Sequence, residues 1–253
     1  RVAVSGAAPI GVDLLTWFHG VGVPIMEAYG QTECAGGCHF NYPGHAKLGS
    51  VGTTLPGVEC RLGDDGEVLV RGANVFVGYL NNPAATGETV DEDGWLHTGD
   101  IGTIDGDGFL RITGRKKEII ITSGGKNLSP ERIENALKVS PFVKEAVAVG
   151  DGRNFVSALV QIEYENASDF ATRKNIAHTS YADLVGKKEI QELVQAEIHK
   201  ANERLAHVEQ VRAFRMFPKE LHQDDNELTP TQKVRRSHIH RVYHDLIESM
   251  YKR

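Results

Sequence analysis

Two tetrapeptides, Gly63-Asp64-Asp65-Gly66 and Asp105-Gly106-Asp107-Gly108, do most to limit what this chain can fold into. Each reads as a tight turn, because glycine reaches backbone conformations closed to other residues and aspartate bonds its own backbone. Short β-rich runs lie around them, at Glu67–Arg71, Val75–Tyr79 and Phe109–Thr113. Strands this short between such turns pair antiparallel, so residues 49–115 are expected to form a small antiparallel sheet or β-barrel.

The texture differs on both sides. Val2–Val4 and Val23–Tyr29 have the composition of buried strands, and Gly11–Val21 between them places Leu14, Leu15 and Phe18 on one helical face. That order is the edge of a layered α/β core, assigned to residues 1–48. Beyond Gly114, Ser129 caps a helix with Pro130 at its first position, running to about Val139. Strands follow at Val143–Val149 and Phe155–Ile162, then a helix over Lys188–Leu205, a strand over Val211–Phe217 and a last helix over Arg236–Tyr251. Residues 116–253 thus read as a compact α+β domain, and the whole chain as multidomain α+β. It opens Arg1-Val2-Ala3-Val4, without Met and already strand-like, and is expected to begin inside a longer polypeptide.

At 253 residues with a net charge of −6, the chain has room for about one to two domains and is no general polyanion binder, which excludes nucleic acid as a partner. Three cysteines, Cys34, Cys38 and Cys60, cannot all pair, which fits a reducing cytoplasmic setting. No apolar run approaches the roughly 20 residues of a membrane span. Arg235, Arg236, Arg241, Lys252 and Arg253 allow peripheral contact with an anionic surface, although a solvated helix face is the plainer reading.

The stretch GRKKEIIITSGGK, Gly114–Lys126, lies at the junction of the last two textures. It is not a Walker A loop, since Ile120 stands where that motif needs glycine and Asn127 where it needs Ser or Thr. Cys34 and Cys38 are spaced one residue too far apart for haem attachment before His39, and lack a second ligand pair, so they read as small buried apolar residues. His238, His240 and His244 share the last helix with Arg236 and Arg241 and read as a solvated polar face.

Three stretches carry more chemistry. Tyr29-Gly30-Gln31-Thr32-Glu33 presents a ring, a hydroxyl and a carboxylate beside a glycine that lets a ligand approach, a set suited to a nucleotide with Mg²⁺; otherwise it is a turn capped by Thr32. Asp93-Gly-Trp-Leu-His-Thr-Gly-Asp100 offers a carboxylate able to hold a ribose diol, or merely a turn acid. Glu227-Leu-Thr-Pro-Thr-Gln-Lys233 places a lysine on a proline-braced loop, either a mobile point charge for a site or part of a solvated basic run.

Taken in order, DGWLHTGDIG, DGFLRITGRKKEIIITSGGKNLSPERIE and VEQVRAFRMFPKEL…NELTPTQKVRR resemble the adenylate-forming superfamily of acyl-CoA synthetases, adenylation domains and luciferases, and within it bacterial long-chain fatty-acyl-CoA synthetases. The resemblance covers essentially the whole chain. It implies that Gly6, Ala7, Ala8 and Pro9 cover the adenine with Tyr29 on the other side. Thr32 would touch the α-phosphate and Glu33 would hold Mg²⁺. Asp100 would bind the ribose hydroxyls and Arg115 would help fix the ribose. Lys117 falls at the family's hinge, Gly124 and Gly125 on the loop lining the pantetheine tunnel, and Lys233 on the lysine that bridges carboxylate and α-phosphate. Gln232 stands where most members have glycine.

The family's Ser/Thr/Gly-rich phosphate loop is absent, as is most of the fatty-acid tunnel. The resemblance therefore implies the last third of an enzyme: a remnant of the large domain's α/β core, its β-barrel subdomain and the C-terminal lid. By that resemblance ATP, Mg²⁺ and coenzyme A are the cofactor and co-substrates and a fatty acid the substrate, with the missing N-terminal part as the chain's partner and the fragment alone inactive. A fatty-acyl-AMP ligase or aryl-CoA ligase shares nearly every motif, and a non-catalytic nucleotide-binding module is a reading from a different class.

Overall fold

The Val-rich start and the Ile-Met-Glu-Ala-Tyr run make two parallel strands, as a strand–helix–strand order requires. In the computed structural model, which describes residues 2–252, these are β1 (Ala3–Ser5) and β2 (Ile25–Tyr29), joined by α1 (Val12–Gly20). A 3₁₀ turn (Thr32–Cys34) leads to β3 (His39–Phe40), which pairs antiparallel with β2 and with β4 (Thr53–Thr54). Leu15 alone of the three residues named for the inner face of α1 is fully buried; Leu14 is 49% exposed.

Next come β5 (Val58–Leu62), β6 (Glu67–Gly72), α2 (Pro83–Thr89), β7 (Leu96–Ile104) and β8 (Leu110–Arg115). The four strands form one curled antiparallel sheet in chain order, a half-barrel over Val68, Val70, Leu96 and Leu110. The two aspartate–glycine tetrapeptides are its turns: Asp65 accepts from the Glu67 amide and Asp105 from those of Asp107 and Phe109.

Val75–Tyr79 is not a strand. Among the described residues no strand offers it a ladder; the Phe76 amide instead donates to the Glu33 carbonyl at 2.8 Å, and Val77 stands in solvent. Helix α2, unforeseen in sequence, is capped by the Asn82 side chain on the Ala85 amide, with Pro83 in its first turn.

The chain divides into two compact units between Glu118 and Ile119. The second unit opens with a two-strand hairpin, β9 (Ile120–Ile121) and β10 (Asn127–Leu128), then α3 (Pro130–Lys138), β11 (Val143–Val149) and β12 (Val156–Ile162). After α4 (Tyr164–Arg173), α5 (Tyr181–Gly186) and α6 (Lys188–Asn202) come β13 (Val211–Met216), α7 (Arg236–Val242) and α8 (His244–Ser249). Strand β12 is central, antiparallel to β11 and parallel to β13, and buried at every position.

Period-two alternation sends Val156, Ala158, Val160 and Ile162 into one core with Ile133, Leu137, Ile190, Val194 and Ile198. Leu159 faces the opposite core, with Phe217, Ile239 and Ile247. The sheet is thus covered on both sides. The last helix is broken rather than continuous: Tyr243 sits at φ −101°, ψ 22° between α7 and α8, and its hydroxyl bonds Glu227. Helix α6 stops at Asn202, whose side chain bonds both the carbonyl and the amide of Val211. Among the described residues, no helix is long and apolar enough to cross a membrane.

Candidate functional site

In an open parallel pair, ligand-binding loops leave the carboxyl ends of the strands. Here the loop Gly6–Ala7–Ala8–Pro9 follows β1 and Gly30–Glu33 follows β2, so both leave the same end of that pair. Gly6 to Pro9 are exposed, and Ala7 takes the left-handed conformation at φ 66°.

Tyr29 ends β2. Its hydroxyl donates to Asp100 Oδ2 at 2.5 Å, while Arg115 Nε lies 2.9 Å from Oδ1 of the same carboxylate. Register explains the second contact, since Asp100 on β7 faces Arg115 on β8. Asp100 is 3% exposed and its amide donates to Thr98 Oγ1. Burial lifts its carboxyl above the ordinary range, against the opposing pull of the Tyr29 hydroxyl and Arg115. Burial first, and then the Asp100 charge, hold Tyr29 far up, so its hydroxyl stays protonated and donates. A carboxylate has about four lone-pair sites, and two donors leave room for the paired hydroxyls of a ribose.

Gly30 has a different reason than ligand approach. A Cβ there would meet the Gly37 Cα at 2.6 Å and the Gly36 carbonyl at 2.7 Å, so glycine is required by the chain's own return path. Thr32 is exposed, and the half-buried Glu33 accepts from the Tyr79 hydroxyl at 2.7 Å through Oε1. One such carboxylate fits Mg²⁺, which usually takes one or two protein carboxylates with waters and substrate phosphates. Among the described residues there is no group of three or more His, Cys, Asp or Glu placed to hold a metal. Cys34 and Cys38 are fully buried thiols, and their hydrogen bonds go to the backbone of Gln31 and Tyr29.

Lys117 is exposed in a turn closed by the Glu118 amide on the Arg115 carbonyl, at the edge of the first unit. Its neighbour Lys116 reaches Asp65 at 2.5 Å and the buried Glu67 at 3.0 Å. In the second unit, Gly124 and Gly125 form the exposed tip of the β9–β10 hairpin, where the Gly125 amide donates to Thr122 O and Gly125 has φ 71°. Lys233 lies on an exposed hairpin bridged by Leu228 and Val234, and Gln232 before it takes φ 61°.

The structure therefore brings Tyr29, Asp100 and Arg115 into direct contact. It leaves Gly6–Pro9, Thr32 and Glu33 in the same unit, and places Gly124, Gly125 and Lys233 in the other. Several partners were not foreseen: Tyr79 on Glu33, Thr98 under Asp100, and His39, whose ring packs 5.9 Å from that of Tyr29. His39 is buried with an unbonded Nδ1, and burial lowers its pKa to about 4. The phenol of Tyr79, at the end of the β-rich run Val75–Tyr79, was the one readable signal.

Of the basic residues suggested for an anionic surface, Arg235, Arg241 and Lys252 are exposed. Arg236 is drawn inward onto Glu134, and Arg253, like Arg1, lies outside the described residues. His238 bonds Arg241, while His240 and His244 are exposed.

Two family profiles match the chain: AMP-binding enzyme over residues 1–80 and AMP-binding enzyme C-terminal domain over residues 117–253. A long-chain-fatty-acid–CoA ligase, FadD15 of Mycobacterium bovis, is 42% identical over 252 residues, covering 99% of this chain and 42% of that protein. The chain thus spans less than half the length of this relative. Among solved structures, the A domain of a carboxylic acid reductase from Segniliparus rugosus, in complex with AMP and a co-purified carboxylic acid, superposes with a TM-score of 0.79 at 22% identity, over 98% of this chain and 39% of that one. O-succinylbenzoate coenzyme A synthetase from Bacillus subtilis, in complex with ATP and magnesium ion, gives 0.69 at 26% identity, over 94% and 46%. The fold is that of adenylation domains, and with the C-terminal profile alone spanning more than half of its residues, the chain belongs to the AMP-binding enzyme family.

Proposed function

We propose that these residues are the C-terminal portion of a long-chain fatty acid–CoA ligase, which joins a fatty acid to coenzyme A by way of an acyl-adenylate. The observation that carries the reading is the Tyr29–Asp100–Arg115 contact, a buried carboxylate with spare acceptor capacity flanked by a phenol and a guanidinium. The relatives' names support the substrate class, and the AMP- and ATP-bound neighbours support the nucleotide.

In this account Tyr29 and the Gly6–Pro9 loop take the adenine, and Asp100 with Arg115 takes the ribose. The fatty acid's carboxylate oxygen attacks the α-phosphorus, the bond to the β-phosphate oxygen breaks, and pyrophosphate leaves. The Lys233 ammonium neutralises charge building on the phosphate oxygens, with Thr32 contacting the α-phosphate. Glu33 would hold Mg²⁺, which supplies further charge neutralisation there. A rotation about Lys117 then exchanges the Lys233 hairpin for the Gly124–Gly125 hairpin, beside which pantetheine runs. The thiol of coenzyme A, losing its proton, attacks the acyl carbon, and AMP leaves. We place the reaction in the reducing cytoplasm on the strength of the three unpaired cysteines.

The test is half-reaction kinetics in the full-length enzyme with a panel of carboxylic acids. Lys233→Ala is expected to slow fatty-acid adenylation by about 10²- to 10³-fold, the usual cost of losing one transition-state charge donor. Thioester formation from supplied acyl-adenylate should survive. Equal losses in both steps would make Lys233 structural, and an adenylate that accumulates without any thioester would identify an acyl-AMP ligase instead.

A further inference from the structure

Lys233 is held by more than its own loop. The Thr229 amide donates to the Lys233 carbonyl at 2.8 Å, the Lys233 amide to Thr229 Oγ1 at 3.0 Å, and the Gln232 amide to the Thr229 carbonyl at 2.8 Å. The Arg235 amide closes the neck on the Glu227 carbonyl at 2.9 Å. The two ends of this hairpin then meet two buried carboxylates.

At the entry, Glu227 is 1% exposed. Its Oε1 accepts from the Tyr243 hydroxyl at 2.6 Å, and its Oε2 from the His222 amide at 3.0 Å and the Lys219 ammonium at 2.9 Å. Burial resists its charge, but these donors outweigh burial and hold the carboxyl below its ordinary range. Tyr243 is the residue that breaks the last helix, so the kink places its hydroxyl on this carboxylate. At the exit, Arg236 follows the neck directly and reaches Glu134 Oε2 at 2.5 Å, while Glu134 Oε1 accepts from the Ala148 amide at 2.7 Å. Glu134 is 6% exposed and lies on α3, the helix that leaves the glycine hairpin.

Taking carboxylates out of water costs several kcal/mol each, and a buried pair often adds no more stability than a well-packed apolar one. What such groups do supply is a single geometry. Leu228 and Val234 at the stem of the hairpin pack against the core around Phe217 and Tyr243, but the tip, Pro230 to Lys233, is exposed and has few apolar contacts of its own to fix it.

We propose that Glu227 and Glu134 are positioning residues for Lys233: they pin both ends of its hairpin, so that the ammonium is delivered in one place rather than from a mobile loop. The proposal rests on the adenylation role given to Lys233 above. It places neither carboxylate in contact with substrate.

Two variants and two readouts test it. Glu227→Gln keeps the shape and removes the charge, and Tyr243→Phe removes a single hydroxyl. In the full-length enzyme Glu227→Gln should lower kcat for adenylation by about tenfold, since misplacing a group by about 1 Å costs up to about 10²-fold. Its KM for ATP and its rate of thioester formation from supplied acyl-adenylate should stay within about twofold of wild type. Tyr243→Phe should show the same selectivity with a smaller loss. In the 253-residue chain, the amides of Gln232, Lys233 and Arg235 should exchange faster in Glu227→Gln, while those of β12 keep their protection.

Unchanged adenylation in both variants overturns the proposal. So does an equal fall in both half-reactions accompanied by a lower melting temperature, which would make the carboxylates structural only. The Lys233→Ala enzyme separates the two levels. If it adenylates normally, the functional reading fails; if it is crippled while Glu227→Gln and Tyr243→Phe are not, only the positioning proposal fails.

Discussion

The two units hold their candidate site residues by different means. In the first, Tyr29, Asp100 and Arg115 hold one another, and the carboxylate at the centre is almost fully buried. In the second, Gly124, Gly125 and Lys233 ride on exposed hairpins whose backbones are bonded at the neck. The cores differ in the same sense. Strand β12 is covered on both faces, whereas the α1 region leaves Val4, Leu14, Trp17 and Val21 each about half exposed. A group that must recognise one shape is best fixed by its neighbours, and a group that must come and go is best fixed by its stem.

The largest effect should come from the covered sheet. Leu159→Ala empties a fully buried position and is expected to cost about 2–5 kcal/mol. Leu14→Ala, at a half-exposed position, should cost under about 1 kcal/mol. Both tryptophans, Trp17 and Trp95, lie in the first unit, so their fluorescence reports that unit while circular dichroism reports both. An equal cost for the two substitutions in chemical denaturation would erase the contrast between the cores.

Next comes a pH effect that arises from one side chain of the first unit. Glu27 on β2 is 9% exposed; burial, opposed by the Gly49 amide and Arg111, lifts its carboxyl from 4.5 to about 7. Between those values the folded chain keeps a proton that the unfolded chain has lost. The contribution of Glu27 to stability is therefore highest at low pH, falls as pH rises through the window and is flat above it, by up to about 3 kcal/mol. Glu27→Gln retains an acceptor for Gly49 and should abolish the fall, matching wild type near pH 4 and exceeding it at pH 8 in melting curves. A variant that tracks wild type across the range would show that Glu27 is solvated.

These contrasts were only partly legible in the sequence. Periodicity and turn chemistry sufficed where one element decides its own form: β11, β12 and α3 with its Ser129 cap follow from local pattern. They failed where a distant group decides. Val75–Tyr79 is β-rich like a strand but has no strand to pair with among the described residues, and the last helix breaks where Tyr243 meets Glu227. Asp100 could be singled out by its setting, yet its contact with Tyr29 spans 71 residues and its contact with Arg115 depends on the register of β7 against β8. Helix α5 carried an overlooked signal, Ser180 three residues before Asp183: the Ser180 hydroxyl accepts from the Asp183 amide and the Asp183 carboxylate from the Thr179 amide.

The smallest effect sharpens the view of the lysine hairpin. Gln232 takes the left-handed conformation at φ 61°, which costs a non-glycine residue about 1–2 kcal/mol, while glycine adds entropy to the unfolded chain. Gln232→Gly should therefore change stability by no more than about 1 kcal/mol. A larger destabilisation in thermal melts would mean that the Gln232 side chain itself holds the hairpin.

The central claim, that the first unit's interlocked side chains recognise a nucleotide, is tested most directly by calorimetric titration of AMP into the full-length protein and its Asp100→Ala form. With folding intact by Trp95 fluorescence, the account predicts that Asp100→Ala weakens binding by about 1.5–3 kcal/mol, roughly tenfold to a hundredfold. Equal affinity in the two proteins would contradict it and remove Asp100 from the site.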